Sequence, residues 1–196
     1  MTYAPGQFVS IVMTTVYPPD HPRAGQPRLE NKAYTLASHG PGHLLELVLN
    51  RAGRFSSILL DQPVGDSIEF HGPYGSFTLR DPAEPSFFYA ADTGIVPFRA
   101  MLQAPIDTPC VLIQTAPTPE DLLFAKEFDA KQFLQYMSLV APPIHELEQM
   151  VFAVLQSSPQ ITTAYLCGLR DQVRPVRHVL DQLGWNRKQI VTETYD

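Results

Sequence analysis

Up to residue 82 the apolar positions come in short runs separated by Gly, Pro and Asp: QFVSIVMTTV, KAYTLAS, HLLELVLNR, DSIEFHG and SFTLR. Ser67-Ile68-Glu69-Phe70-His71 alternates strictly, the period of a strand with one face buried. Several short strands between turn residues predict an antiparallel barrel or sandwich. Residues 17 to 31, YPPDHPRAGQPRLEN, are polar and proline-rich and read as one long loop. His39 and His43 bracket a Gly-Pro-Gly turn, which reads as solvated.

Beyond residue 82 the rhythm changes to strand alternating with helix. SFFYAA, PCVLIQT, QYMSLVA, TTAYLCG and KQIVTETY read as strands. Between them IVPFRAMLQ, PEDLLFAKEFDAKQF, HELEQMVFAVLQSS and RDQVRPVRHVLDQLG read as helices. Thr118 and Pro119 have the form of a helix start, and Gly184 that of a stop. Repeated β–α units predict a parallel sheet with helices on both faces. The expected organisation is an antiparallel β-barrel over residues 1–82, then a doubly wound α/β nucleotide-binding domain over 83–196. A sheet of that kind binds its ligands beyond the carboxyl ends of its strands. That singles out the turns Asp92-Thr93-Gly94, Thr115-Ala116-Pro117 and Cys167-Gly168-Leu169.

Composition narrows the function. The 196 residues carry a formal net charge of -6, with no basic run, which argues against a nucleic-acid partner. No apolar stretch approaches the roughly 18–20 residues of a membrane span. MTYAPGQF lacks the features of a secretory signal. Cys110 and Cys167 lie inside apolar runs and suit a reducing cytoplasm better than a disulfide scaffold. Six histidines show no metal-binding spacing, and no metal site is expected. A G-x-S-x-G nucleophile elbow is absent.

Six segments, in order, carry a resemblance: APGQFV (4–9), KAYTLAS (32–38), GRFSSIL (53–59), GDSIEFHGPYGSF (65–77), AADTGIVPF (90–98) and YLCG…ETY (165–195). Together they resemble the ferredoxin–NADP reductase superfamily of two-domain flavin and nicotinamide oxidoreductases. The resemblance implies a flavoprotein enzyme that binds FAD, in preference to FMN, and takes hydride from NADH or NADPH. It implies that Tyr34 lies on the flavin ring, Thr35 faces its hydride-accepting nitrogen and Lys32 stands where relatives have a phosphate-facing arginine. Ser38 is the serine that follows that pattern. Gly53, Ser56 and Ser57 would meet the pyrophosphate, and Thr93, Gly94, Cys167 and Gly168 would shape the nicotinamide pocket. Glu193 and Tyr195 resemble the acid and the aromatic next to the reacting atoms. Thr35, Cys167, Glu193 and Tyr195 are therefore the expected catalytic set.

Three departures qualify these implications. Ala91 and Asp92 replace glycines of the nicotinamide loop, and Asp92 is expected to turn outward and cap the following helix rather than repel a phosphate. Pro117 stands where many relatives carry an arginine, which puts NADH ahead of NADPH. Relatives carry two further strands before P-G-Q-F, where here only Met1 to Ala4 precede it. An open barrel, a partner chain or dimer completing it, and a coding start further upstream all remain open. Electrons would leave to a redox partner protein or a small acceptor. The alternative reading is a non-enzymatic or electron-transfer subunit whose incomplete barrel needs a partner chain.

Overall fold

The computed structural model describes residues 1–38, 44–103 and 108–195. Strands β1 (Phe8–Val16), β2 (Pro27–Thr35) and β3 (Glu69–Tyr74) form an antiparallel, barrel-like sheet of order β2-β1-β3. Its buried face is built by alternation: Val9 and Ile11 of β1 pack with Tyr3, Leu36, Phe55 and Leu59. Phe55 and Leu59 come from helix α1 (Arg54–Leu60), one turn apart and therefore on one face.

Strands β4 (Ser86–Ala91), β5 (Cys110–Ala116), β6 (Gln135–Val140), β7 (Thr163–Leu169) and β8 (Ile190–Tyr195) form a parallel sheet of order β6-β5-β4-β7-β8. Each β4 residue is buried, because both faces are covered. Phe87 and Tyr89 face helices α4 (Ile144–Ser157) and α5 (Arg170–Gln182), against Val151 and Val176. Phe88 and Ala90 face helix α2 (Ile95–Met101), and this second core also takes in Ala37 and Phe77 from the N-terminal half. The two halves thus share one hydrophobic layer. Arg99 of α2 pins the seam: its guanidinium donates to Ala37 O (3.2 Å), Glu46 (2.6 Å) and Glu127 (2.9 Å), and lies 4.3 Å from the centre of the Phe124 ring.

The strand-to-helix alternation and the parallel sheet are as expected from the sequence; some boundaries are not. Residues 27–31, expected in the long loop, belong to β2. Of HLLELVLNR, the described residues make only an isolated bridge, Leu47 to Leu36. SFTLR is not a strand: Phe77 turns into the shared core beside Phe98 and Tyr165, and Arg80 N–H donates to the Tyr165 hydroxyl. The segment from Pro119 is not one long helix but a 3-10 turn, Pro119–Asp121, and a short α3 (Ala125–Asp129). Phe124 interrupts it with a left-handed backbone (φ 60°) that sets its ring against Arg99. The turn between His39 and His43 lies outside the described residues.

The chain order reverses between β4 and β7, and there the backbones nearly touch. A Cβ at Gly94 would sit 2.2 Å from Cys167 O, and one at Gly168 (φ 147°) would sit 2.7 Å from Ala91 Cβ. Gly94→Ala is therefore expected to destabilise the fold by about 3 kcal/mol. A lower urea midpoint with an unchanged denaturant slope would show it.

Candidate active site

One cavity of about 690 Å³ opens between the two halves. Strand β2 gives it Lys32, Tyr34 and Thr35, and the start of α1 with its N-terminal Gly53 gives Phe55 and Ser56. Thr93 and Val96 enter from the turn after β4, and Tyr195 from the end of β8. Residues far apart in sequence converge here because β2 ends, and β4, β7 and β8 run their carboxyl ends, at the same seam.

The chemistry-bearing contacts form a short chain. Tyr195 OH lies 3.4 Å from Thr35 Oγ1, and the Cys167 thiol donates to Tyr195 OH at 3.3 Å. Glu193 lies level with Cys167 in the β7–β8 register. Cys167, Gly94 and Gly168 stand behind the cavity wall rather than in it. Burial raises the pKa of the Cys167 thiol above its usual range, which favours the protonated form over the thiolate. Burial likewise raises Tyr195, with the neighbouring Cys167 adding to the effect. Desolvation pushes the Glu193 carboxyl from 4.5 to about 7.

Other expected residues sit differently. The Ser38 hydroxyl hydrogen-bonds the Tyr3 hydroxyl (2.7 Å) and accepts from Glu46 N–H (3.2 Å), away from the cavity wall. Ser57 is also outside the wall, its hydroxyl donating to Gly53 O (2.9 Å). Ser56 donates to the same carbonyl (3.0 Å) and accepts from Gly53 N–H (3.2 Å), which shapes the turn. Asp92 does not cap α2. It opens the 3-10 turn Asp92–Gly94 in a left-handed conformation (φ 53°), and Gly94 is the residue before the helix. Desolvation and the Asp121 charge both raise its carboxyl pKa. Ala91 keeps an ordinary extended backbone (φ -109°), so a glycine is not required there.

Sequence reasoning missed the far end of the cavity, where Val16, Pro18, Arg28, Glu30 and Arg54 line the wall. The signal was present in PRLENKAYT, whose residues Arg28, Glu30, Lys32 and Tyr34 recur with period two. Among the described residues no group of three or more His, Cys, Asp or Glu is placed to hold a metal. No helix among them is long and apolar enough to cross a membrane.

The arrangement fits a flavin by the chemistry of its donors. Tyr34 offers an aromatic face, and Lys32 a cation without an ion pair among the described residues. At Gly53 an added Cβ would meet nothing within 4 Å, so the wall is open there. The volume is within the ordinary range of a cofactor site.

This architecture is the ferredoxin–NADP reductase-like fold. The chain is similar over its whole length, at 21% identity and a TM-score of 0.77, to the FAD/NAD-binding domain of nitric oxide dioxygenase from Vibrio cholerae, of which it covers 86%. Its curated relatives include proteins named as reductases and as electron transfer components. It is 28% identical to ferredoxin–NADP reductase B of Sorangium cellulosum, over 84% of this chain and 78% of that one. It is 26% identical to the toluate 1,2-dioxygenase electron transfer component of Pseudomonas putida, over 94% of this chain and 56% of that one. The chain spans about half the length of such oxygenase components. No protein-family profile matches it.

The Glu193 environment sets a pH dependence. The folded state keeps a proton that the unfolded chain releases, so stability falls as pH rises from 4.5 to about 7. Glu193→Gln is expected to flatten the fall in this window, measured as urea midpoints for both proteins at each end of it.

Proposed function

We propose that this chain is an NAD(P)H-dependent flavoprotein reductase, an oxidoreductase that holds FAD in the cavity between its halves. The carrying observation is that cavity: Tyr34, Thr35 and Lys32 wall one side, and Thr93 and Tyr195 come to it from the strand ends of the parallel sheet. When bound, FAD accepts hydride from a reduced nicotinamide and releases electrons singly or in pairs. The protein's part is to bind, orient and exclude water. Tyr34 supplies ring contact, Lys32 pairs with phosphate as a point charge, and Gly53 leaves room for it. The Thr35 hydroxyl is an adjustable donor or acceptor at the flavin edge. Tyr195, held by Thr35 and Cys167, covers the same ground. Glu193, titrating near neutrality, is suited to holding or yielding a proton. Thr93 faces the nicotinamide side, and Gly94, Cys167 and Gly168 pack behind it and set its position.

The finer features follow from this reading. The boundary lies near residue 82, between a flavin half and a nicotinamide half. NADH ranks ahead of NADPH because Pro117 offers no charge to a 2′-phosphate. Electrons leave to a separate protein, such as an oxygenase or a ferredoxin, or to a small acceptor. Two buried free cysteines, Cys110 and Cys167, suit a reducing cytoplasm.

A second reading rests on β3. It is an edge strand, and Ile68 and Phe70, 44% and 38% exposed, adjoin a sheet face whose Ile11 is buried. In that reading a partner chain, or a second copy, pairs with β3, and this chain acts as a subunit.

Anaerobic addition of NADH to the FAD-loaded protein should bleach its yellow absorbance. A protein that takes up FAD only after a partner is added would favour the subunit. In the reductase, Thr35→Val is expected to keep FAD bound and slow the bleaching by about 10- to 100-fold in stopped flow.

A further inference from the structure

The cavity does not end at Lys32. Inward-facing residues of β2 follow in steps of two, each step about 7 Å along the strand. Tyr34 comes first, then Lys32, then Glu30 and Arg28, all in the wall of the same cavity. Arg28 therefore lies about 13 Å beyond Lys32. A mononucleotide with its phosphate on Lys32 would leave this stretch empty, whereas the longer dinucleotide would extend into it.

The far stretch is ordered. Arg28 Nη1 pairs with Glu30 Oε1 at 3.1 Å, and Glu30 Oε2 accepts from Thr15 Oγ1 at 2.7 Å. Thr15 lies opposite Arg28 in the β1–β2 register, so the carboxylate is fixed from the neighbouring strand. The Arg28 guanidinium also lies 5.4 Å from the centre of the Tyr17 ring, which stacks on His21 at 4.3 Å. An arginine held from two sides keeps its planar group at the cavity rim, where it can stack on a purine or fork onto a phosphate. Glu30 is 18% exposed at its side chain, while Arg28 is 45% exposed and reachable by a ligand. On the other wall Arg54 is bound to Val16 O and closes the end of the trough.

We infer that Arg28, positioned by Glu30, is the specificity-determining contact for the adenylate half of FAD, and so selects a dinucleotide flavin over FMN. This rests on the flavin reading above. The pair is electrically close to neutral, which suits an adenosine better than another full phosphate charge. Lys32 remains the cation for the phosphate common to both flavins. The two contacts therefore divide the ligand: Lys32 reads what FAD and FMN share, and Arg28 reads what only FAD has.

The test is equilibrium binding of FAD, FMN and riboflavin to the purified full chain, followed by flavin fluorescence. The wild type should bind FAD at least tenfold more tightly than FMN. Arg28→Ala should weaken FAD by about tenfold and leave FMN within twofold. Glu30→Gln, nearly the same in shape, should give a smaller loss, again for FAD alone. Lys32→Ala should weaken FAD and FMN together and spare riboflavin. If Arg28→Ala weakens FAD and FMN equally, or leaves FAD unchanged, the inference is overturned while the flavin reading stands. Equal wild-type affinity for FAD and FMN overturns it as well. A wild type that binds none of the three flavins overturns both.

Discussion

The fold depends on how closely β4 and β7 approach at the point where chain order reverses. Gly94 packs on the Cys167 carbonyl, and Gly168 on Ala91. Neither position has room for a side chain, and Gly168 also has a backbone that other residues rarely adopt. This contact sets the depth at which the turn after β4 begins. From it follow the place of Thr93 at the cavity and of the Cys167 thiol under Tyr195. A looser seam would move both relative to Tyr34 and Thr35, which come from the other half.

The seam is held from the other side by packing and charge. Phe88, Phe98, Tyr165 and Phe77 form one aromatic cluster with contributions from both halves. Arg99, 15% exposed at its side chain, adds ion pairs to Glu46 and Glu127. Such a partly screened arginine contributes more than an exposed pair does, because its partners also satisfy buried donors. The cavity thus lies between two bodies whose relative position is fixed by their own side chains.

The parallel half was legible because its strands are long, apolar and separated by clear helix signals. Phe87 to Ala91 could be buried only on both faces. The antiparallel half was harder to read. Arg28, Glu30 and Lys32 gave β2 a polar look, and the polarity belongs to a cavity wall rather than to a loop. SFTLR looked like a strand because its apolar residues alternate, but Phe77 is claimed by the shared core. The segment after Thr118 had helical propensity that Phe124 overrides through its contact with Arg99. At the site, motif order located Tyr34, Thr35, Gly53, Thr93 and Tyr195 at one cavity. It could not tell that Ser38 and Ser57 spend their hydroxyls on Tyr3, Glu46 and Gly53, since those bonds depend on tertiary placement.

The shared layer beneath Phe77 has a further consequence. Topology divides the molecule in two, but the solvent does not see two objects. A chain severed near residue 82 would strip Phe98 and Tyr165 of their contact with Phe77 on one fragment, and leave Phe77 stranded on the other. Melting should therefore be a single cooperative event, with neither half persisting after the other has gone.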